Sequence, residues 1–329
     1  MSTSNVISRR NLMVSAASAS MAVALHSRLL RGAPADAIDA VIAGPPGGGT
    51  VKLLREEGAR VRVQTQALRG NITVLSGLGG NIAVHTSPEG KLMIDAGVAS
   101  AREQLQTAIA AIGAAPLRFL VDTHWHFDHT EGNDWIHRAG ATIVAHENTR
   151  QRLSVPTRVA GWDYTFAPAP AGALPGVVFK QNMTLHLGNT TLTLQAYEPA
   201  HTDSDIRITF NEADVMHVGD TWWNGHYPFI DYSTGGSIDG TVKAAEANVN
   251  AATEHSLIIP GHGPVGDKKQ LTEFRDMLRS IRDAVANFKR QGRTSDEVVA
   301  AKPTAPFDAK FGTFVIKPEI FTRLVYLGV

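Results

Sequence analysis

The sequence has 329 residues, of which 43% are hydrophobic and 19% charged, enough apolar material for a sizeable core. Its 31 basic residues are balanced by 31 acidic ones, so no excess positive charge favours nucleic acid as a partner. The chain contains no cysteine, which excludes disulfide scaffolds, thiolate metal sites and cysteine nucleophiles. The ligands of any metal ion must therefore come from carboxylates and from the 13 histidines that the sequence contains.

The first residues are typical of an export signal. The pair Arg9-Arg10 precedes an uncharged, weakly hydrophobic stretch from Leu12 to Leu25, which is too short to span a bilayer as a helix. Ala35-Asp36-Ala37 offers a cleavage site of small residues. We therefore expect residues 1–37 to be a twin-arginine signal peptide read by the twin-arginine export machinery. We expect the mature protein to be periplasmic or secreted, with no segment that spans a membrane.

Residues 38–60 include the glycine- and proline-rich run Gly44–Gly49 and are predicted to be a linker or N-terminal segment. Beyond it, alternating apolar residues predict strands and helical spacing predicts helices. Strands are predicted at 61–68, 71–75, 81–86, 92–94, 117–121, 141–145, 190–194, 206–210, 215–218 and 257–259. Helices are predicted at 101–112, 133–138, 238–251 and 268–290, with one more short helix in the tail. The pattern divides the chain into a catalytic domain, 61–266, and a C-terminal helical extension, 267–329.

A run of metal-ligand residue types directly follows the strand at 117–121. Residues 124–129 have the sequence HWHFDH. Side chains alternate along an extended loop, so His124 and His126 point the same way and can bind one metal ion. A turn at Asp128 and His129 can direct a carboxylate and an imidazole at a second ion. The further candidate ligands come after later strands and are His201, Asp220 and His262.

These residues resemble the metallo-β-lactamase-fold hydrolase superfamily in its dinuclear, glyoxalase II-like ligand pattern. The resemblance covers roughly residues 61–265 and includes Asp95, which follows the strand at 92–94. It implies a four-layer αβ/βα sandwich, an α/β fold with the metal ions in a cleft at the strand ends. Asp95 would orient ligand imidazoles. The resemblance implies that His124, His126 and His201 hold one metal, that Asp128, His129 and His262 hold the other, and that Asp220 bridges them.

Imidazole and carboxylate ligands without thiolate suit Zn²⁺ and also admit iron or manganese, and we expect two zinc ions per chain. Two ions about 3.5–4 Å apart can hold a hydroxide that attacks a carbonyl carbon. Asp128 is the candidate catalytic residue, orienting the nucleophile and passing a proton to the leaving group. The expected reaction is hydrolysis of a small ester, lactone, thioester or β-lactam-like amide.

Two other functions stay open at this point. Persulfide dioxygenases of the same fold use one iron bound by two histidines and an aspartate, which would leave Asp128, His129 and His262 partly idle. A periplasmic metal-binding or relay protein would have no turnover at all. A dedicated β-lactamase is disfavoured, because class B1 and B2 enzymes carry a cysteine in place of Asp220 and class B3 enzymes also lack that aspartate.

Aromatic residues near the metal motifs are candidates for binding the substrate. Trp125 lies between two ligands, and Trp223 follows Asp220 by three residues. His226 or Tyr227 could donate a hydrogen bond to a developing oxyanion. The stretch 155–176, rich in proline, alanine and glycine, is predicted to be irregular and to cover the cleft as a lid.

Overall fold

The computed structural model describes residues 48–77 and 79–329, so the predicted signal peptide lies outside the described residues. The strands are β1 (Gln64–Ala67), β2 (Ile72–Ser76), β3 (Ile82–Ser87), β4 (Gly90–Ile94), β5 (Leu117–Val121), β6 (Thr142–His146), β7 (Thr157–Val159), β8 (Tyr164–Phe166), β9 (Val177–Phe179), β10 (Asn182–Leu187), β11 (Thr190–Ala196), β12 (Ile206–Phe210), β13 (Val215–His217) and β14 (Leu257–Ile259). The helices are α1 (Gly49–Gly58), α2 (Arg102–Ile112), α3 (Phe127–Thr130), α4 (Asn133–Arg138), α5 (Glu147–Ser154), α6 (Ile238–Ala251), α7 (Lys268–Arg290), α8 (Ser295–Ala300), α9 (Asp308–Phe311) and α10 (Pro318–Gly328).

Two mixed sheets form the centre of the described structure. The first has the order β1-β2-β3-β4-β5-β6-β9 and becomes parallel from β4 onward. The second has the order β10-β11-β12-β13-β14 and is antiparallel except for the pair β13 and β14. Strands β7 and β8 form a separate hairpin. Parallel strands bring their carboxyl ends to one edge, where α/β proteins bind ligands.

The two sheets pack face to face, with helices on both outer faces. Buried Ile94 and Val121 of the first sheet belong to the same apolar core as Ile208 and Ile259 of the second. Helices α1, α2 and α4 cover the outer face of the first sheet. Helices α6, α7 and α10 cover the outer face of the second. This helix–sheet–sheet–helix arrangement confirms the predicted αβ/βα sandwich.

Helix α7 shows how local sequence and burial agree. Asp267 caps its first turn by accepting a hydrogen bond from the Gln270 amide at 2.8 Å, and the Gln270 side chain reciprocates. This capping box satisfies amides that the first helical turn leaves unpaired. The buried side chains recur at helical spacing and form one face, which packs on the second sheet: Leu271, Phe274, Met277, Leu278, Ile281 and Val285.

The outer segments differ from the predicted ones in three details. Residues 49–58, within the predicted linker or N-terminal segment at 38–60, form α1, because Val51 packs into the core beneath the first sheet. Residues 155–176 are not wholly irregular, since 157–166 form the β7–β8 hairpin. The tail contains more than one short helix after α7, namely α8, α9 and α10. Among the described residues, no helix combines the length and the apolar character needed to cross a membrane.

Candidate metal centre

The candidate ligands converge where the strands of both sheets end. Two groups of side chains have ligand atoms that lie within 4.8 Å of one another inside each group. The first group comprises His124, His126, His201 and Asp220, and the second comprises Asp128, His129 and His262. The division agrees with the one implied by the resemblance, with Asp220 placed in the first group.

Asp220 faces both groups. Its Oδ2 lies 3.4 Å from His201 Nε2 and 3.4 Å from His262 Nε2. Its Oδ1 lies 3.2 Å from His129 Nε2. One carboxylate thus reaches imidazoles of each group, which is the arrangement required of a residue shared by two cations.

Hydrogen bonds from outside hold two imidazoles of the first group in defined tautomers. His201 Nδ1 lies 2.8 Å from the Phe229 carbonyl, which can only accept, so Nδ1 carries the proton. His126 Nε2 likewise donates to Asp231 Oδ2 at 3.0 Å. The remaining nitrogens, His201 Nε2 and His126 Nδ1, face each other at 2.9 Å. In neutral rings both carry lone pairs, so either a proton or a metal ion must offset their repulsion.

Asp95 orients ligands of both groups. Its Oδ2 accepts from His129 Nδ1 at 2.7 Å and from the Thr123 hydroxyl at 2.8 Å. Because the single hydroxyl proton of Thr123 is used in that bond, its oxygen accepts from His124 Nδ1 at 3.0 Å. When neutral, both imidazoles therefore present an unprotonated Nε2 to the site, as the outer partners of metal-bound histidines commonly arrange.

The inward atoms of these ligands fit a divalent metal. His124 Nε2, His129 Nε2 and Asp220 Oδ1 are buried and have no hydrogen-bond partner among the described residues. Buried polar atoms are almost always satisfied, so such atoms gathered around the shared carboxylate fit a site that binds cations. Nitrogen and carboxylate oxygen without sulfur suit zinc and, with less selectivity, iron or manganese.

The charges within the cluster are strongly coupled. Burial opposes the charge on Asp220, but the imidazoles of His262, His129 and His124 hold its pKa well below the usual range. Burial also opposes a charge on His262, yet Asp220 and Asp128 raise its pKa to about 9. Without metal, protons therefore occupy the place that a cation would take, as expected for a site that exchanges protons for metal.

A cavity of about 250 Å³ opens onto the second ligand group. Asp128 and His262 form part of its wall, beside Trp223 and Trp162. The Trp223 ring packs on the His262 imidazole with their centroids 4.4 Å apart. Trp162, at the turn of the β7–β8 hairpin, lies 4.7 Å from the His126 ring. The turn of the hairpin thus packs against His126, within the stretch that the sequence predicts as a lid.

The other predicted substrate residues lie elsewhere. Trp125 points away from this cavity and donates to the Thr234 hydroxyl at 3.2 Å, because neighbours on an extended loop face opposite sides. Tyr227 is fully buried and does not line this cavity, and its hydroxyl donates to Asp308 at 2.9 Å rather than facing the ligands. His226 does not line the cavity but stacks on Phe314, which does, at 4.5 Å.

Asp231 and Phe314 are contributors that sequence reasoning missed. Asp231 holds His126 and accepts from the Thr234 hydroxyl at 2.6 Å, but it lies 105 residues from that histidine. The only local signal is an aspartate two and three residues before a serine and a threonine, which predicts a turn and no more. Phe314 lies in the tail, far along the sequence from every metal motif.

Comparisons with known proteins agree with this geometry. Residues 75–281 match the model of the metallo-beta-lactamase superfamily. The chain therefore belongs to that superfamily, whose members include hydrolytic metalloenzymes, and its histidine and aspartate groups fit a metal site.

Two curated proteins illustrate the range of its relatives. A probable metallo-hydrolase, YqgX of Bacillus subtilis, is 24% identical over 161 residues, 47% of this chain and 72% of that protein. The atrochrysone carboxyl ACP thioesterase of Aspergillus fumigatus is 24% identical over 257 residues, 75% of this chain and 73% of that protein.

Solved structures share the fold. A metallo-beta-lactamase from Pontibacter korlensis has a TM-score of 0.53 at 18% identity, covering 66% of this chain and 99% of its own. The stereoselective inverting sec-alkylsulfatase Pisa1 from Pseudomonas sp. has a TM-score of 0.61 at 15% identity and covers 90% of this chain. The present chain spans about half of that alkylsulfatase, 55% of its length.

Proposed function

We propose that the chain is a dinuclear zinc hydrolase that cleaves a small ester, lactone, thioester or related amide. The carrying observation is the position of Asp220, whose two carboxylate oxygens face imidazoles of both ligand groups. A mononuclear site would have no use for the second set, Asp128, His129 and His262, which is buried or nearly so and equally well assembled.

Zinc at these positions would supply an activated water nucleophile and would polarise the carbonyl oxygen. The chain's own residues do the rest. Asp95 and Asp231 keep the ligand imidazoles in the tautomers that leave their inward nitrogens free. Asp128 borders the cavity, beside His262, and from that position its carboxylate would take a proton and pass it to the leaving group.

The relatives are compatible with acyl chemistry. One curated relative is named as a thioesterase and another as a probable metallo-hydrolase. Hydrolysis of a thioester and of a lactone or ester passes through the same attack on a carbonyl carbon. A carbonyl substrate is therefore the choice we make for this chain.

The first experiment is elemental mass spectrometry on the purified protein, followed by a panel of esters, lactones, thioesters and lactams. We expect two zinc ions per chain and turnover of at least one class. His126→Ala and Asp220→Ala should each abolish turnover while the protein stays folded. His255→Ala, at an exposed histidine, is the matched control and should retain activity.

Other results would point to other functions. Activity retained in both ligand variants would refute the proposed mechanism. One iron per chain would favour a persulfide dioxygenase-like oxidoreductase. Two metal ions without turnover on the whole panel would favour a metal-binding or relay protein.

We further propose export through the twin-arginine pathway to the periplasm or beyond, on the basis of Arg9-Arg10 and the weakly hydrophobic stretch that follows. Cell fractionation tests this directly. Replacing both arginines by lysine should leave the protein in the cytoplasm. Export that persists in the double variant would contradict the proposal.

A further inference from the structure

We propose that the substrate presents an uncharged apolar group to the cavity, and that segments from both ends of the described part of the chain jointly select it. This inference rests on the proposed function, because it concerns the group attached to the carbonyl that is cleaved. The proposed substrates are alkyl or aryl esters, lactones or thioesters without an anionic tail, a narrower class than the metal ligands alone would indicate.

The cavity begins at the metal ligands and continues between apolar walls. Asp128 and His262 form its inner end. Trp162 stacks on Phe229 with ring centroids 5.1 Å apart and an interplanar angle of 22°, so the hairpin side is a flat aromatic surface. Trp223 closes the side next to His262. A group attached to a carbonyl at the ligands would therefore lie against aromatic rings.

Segments from both ends of the described chain complete the walls. Leu54 of α1 and the nearby Val61 contribute from the N-terminal side. Phe314, Ile316 and Ile320 contribute from the segment that leads into α10 and from its first turn. The Phe314 ring contacts the Trp223 ring, with centroids 6.1 Å apart, so the tail packs against the side of the cavity next to His262. The helical tail is thus part of the binding site.

The charges of the outer walls disfavour an anionic tail. Among the described residues that line the cavity, the metal ligands aside, the charged side chain is Glu57, and neither lysine nor arginine is present. The neighbouring Arg55 turns away and pairs with Glu131. An anionic tail would lose water without gaining a cation and would approach the Glu57 carboxylate, whereas an alkyl or aryl group gains from burial.

The test uses nitrophenyl esters of linear acids, from acetyl to hexanoyl, with zinc-loaded protein. We expect kcat/KM to rise about fourfold with each methylene until the cavity is filled, the rate equivalent of burying one methylene group. Esters of equal length that end in a carboxylate should be at least about 100-fold poorer, because their charge would be buried unpaired.

Val315→Arg should relax this selection. Val315 lies at the cavity and is 41% exposed, so an arginine there can reach its mouth without disturbing the core. We expect kcat/KM for the carboxylate-ended esters to rise about tenfold or more relative to the neutral ones. The matched control is Val178→Arg, at a residue of β9 that is 43% exposed and does not line the cavity. Its ratio of kcat/KM for carboxylate-ended esters to kcat/KM for neutral esters should stay within about twofold of that of the parent protein.

A binding measurement separates this inference from the proposed function. Long-chain methyl ketones cannot be hydrolysed, and their binding should change the fluorescence of Trp162 and Trp223, which both line the cavity. If ketones bind more tightly with length but no ester is cleaved, the hydrolase proposal fails and the cavity inference stands. If esters are cleaved at rates that ignore chain length and terminal charge, the cavity inference is overturned and the hydrolase proposal survives.

Discussion

Asp231→Asn should weaken zinc binding without unfolding the protein. Asp231 is buried and accepts from His126 Nε2 at 3.0 Å, while the Ser233 amide and the Thr234 hydroxyl bond to the same carboxylate. An asparagine keeps the shape but loses the charge. If its amide group faced the imidazole, the ring would have to move its proton to Nδ1, the nitrogen needed for the metal.

The size of the effect follows from that one hydrogen bond. A hydrogen bond to a charged group contributes about 1.5–3 kcal/mol, which corresponds to about 10- to 150-fold in a dissociation constant. Loss of an outer partner of a metal-bound histidine typically weakens binding by about 10- to 100-fold. We therefore expect zinc affinity to fall by about 10- to 100-fold.

The assay is competition with a chelator of known affinity, alongside thermal unfolding of the metal-free protein by circular dichroism. Asp214→Asn is the matched control. The Asp214 carboxylate also accepts from a threonine and a serine hydroxyl, those of Thr253 and Ser256, but it holds no ligand imidazole. Equal zinc affinities in Asp231→Asn, Asp214→Asn and the parent protein would refute the reasoning.

Three further results are expected. Gly80→Ala should lose metal and activity and be destabilised by about 1–3 kcal/mol, because its new Cβ would lie 2.1 Å from His129 Cε1. Gly176→Ala, with open space around it, is the control and should behave as the parent protein. Metal analysis and chemical denaturation compare the two variants. Tyr227→Phe should lose about 0.5–1.5 kcal/mol of stability with kcat unchanged, because the lost hydroxyl bonds to Asp308. A loss of more than tenfold in kcat would instead indicate that Tyr227 acts on the substrate. Chelation should lower the Tm by about 5 °C or more, reversibly on adding zinc, because the assembled site binds metal more tightly than the unfolded chain does; an unchanged Tm in a calorimetric scan would argue against a metal centre.

The strands and the long helices were predictable because their patterns are local. Helix α7 carries its buried face and its capping box within one stretch of sequence, and the structure has it over Lys268–Arg290 as predicted. Helix α1 was missed because glycine and proline dominate the run before it, and only its contact with the first sheet explains its formation. Tertiary packing supplies much of the stability of such short helices.

The candidate ligands could also be identified from sequence. Histidine and aspartate placed after neighbouring strands can meet at the edge where those strands end, and the resemblance to the superfamily implied their division between two ions. The structure brings all seven into two adjoining groups. The substrate side was harder, because an aromatic residue beside a ligand can face either the cleft or the core. Trp223 faces the cavity, whereas Trp125 and Tyr227 do not.

The sequence by itself indicated the metal-binding chemistry, through the ligand residue types at 124–129 and after later strands, and the fold class, through the resemblance that those residues carry. Only the tertiary structure decided which distant groups meet. It placed Asp231 against His126, which is 105 residues away in sequence. It also brought Leu54 and Phe314, from opposite ends of the described part of the chain, to one cavity. The physical reason is that such contacts are made by the packing of helices on two sheets, and no local pattern of residues encodes the distance between them.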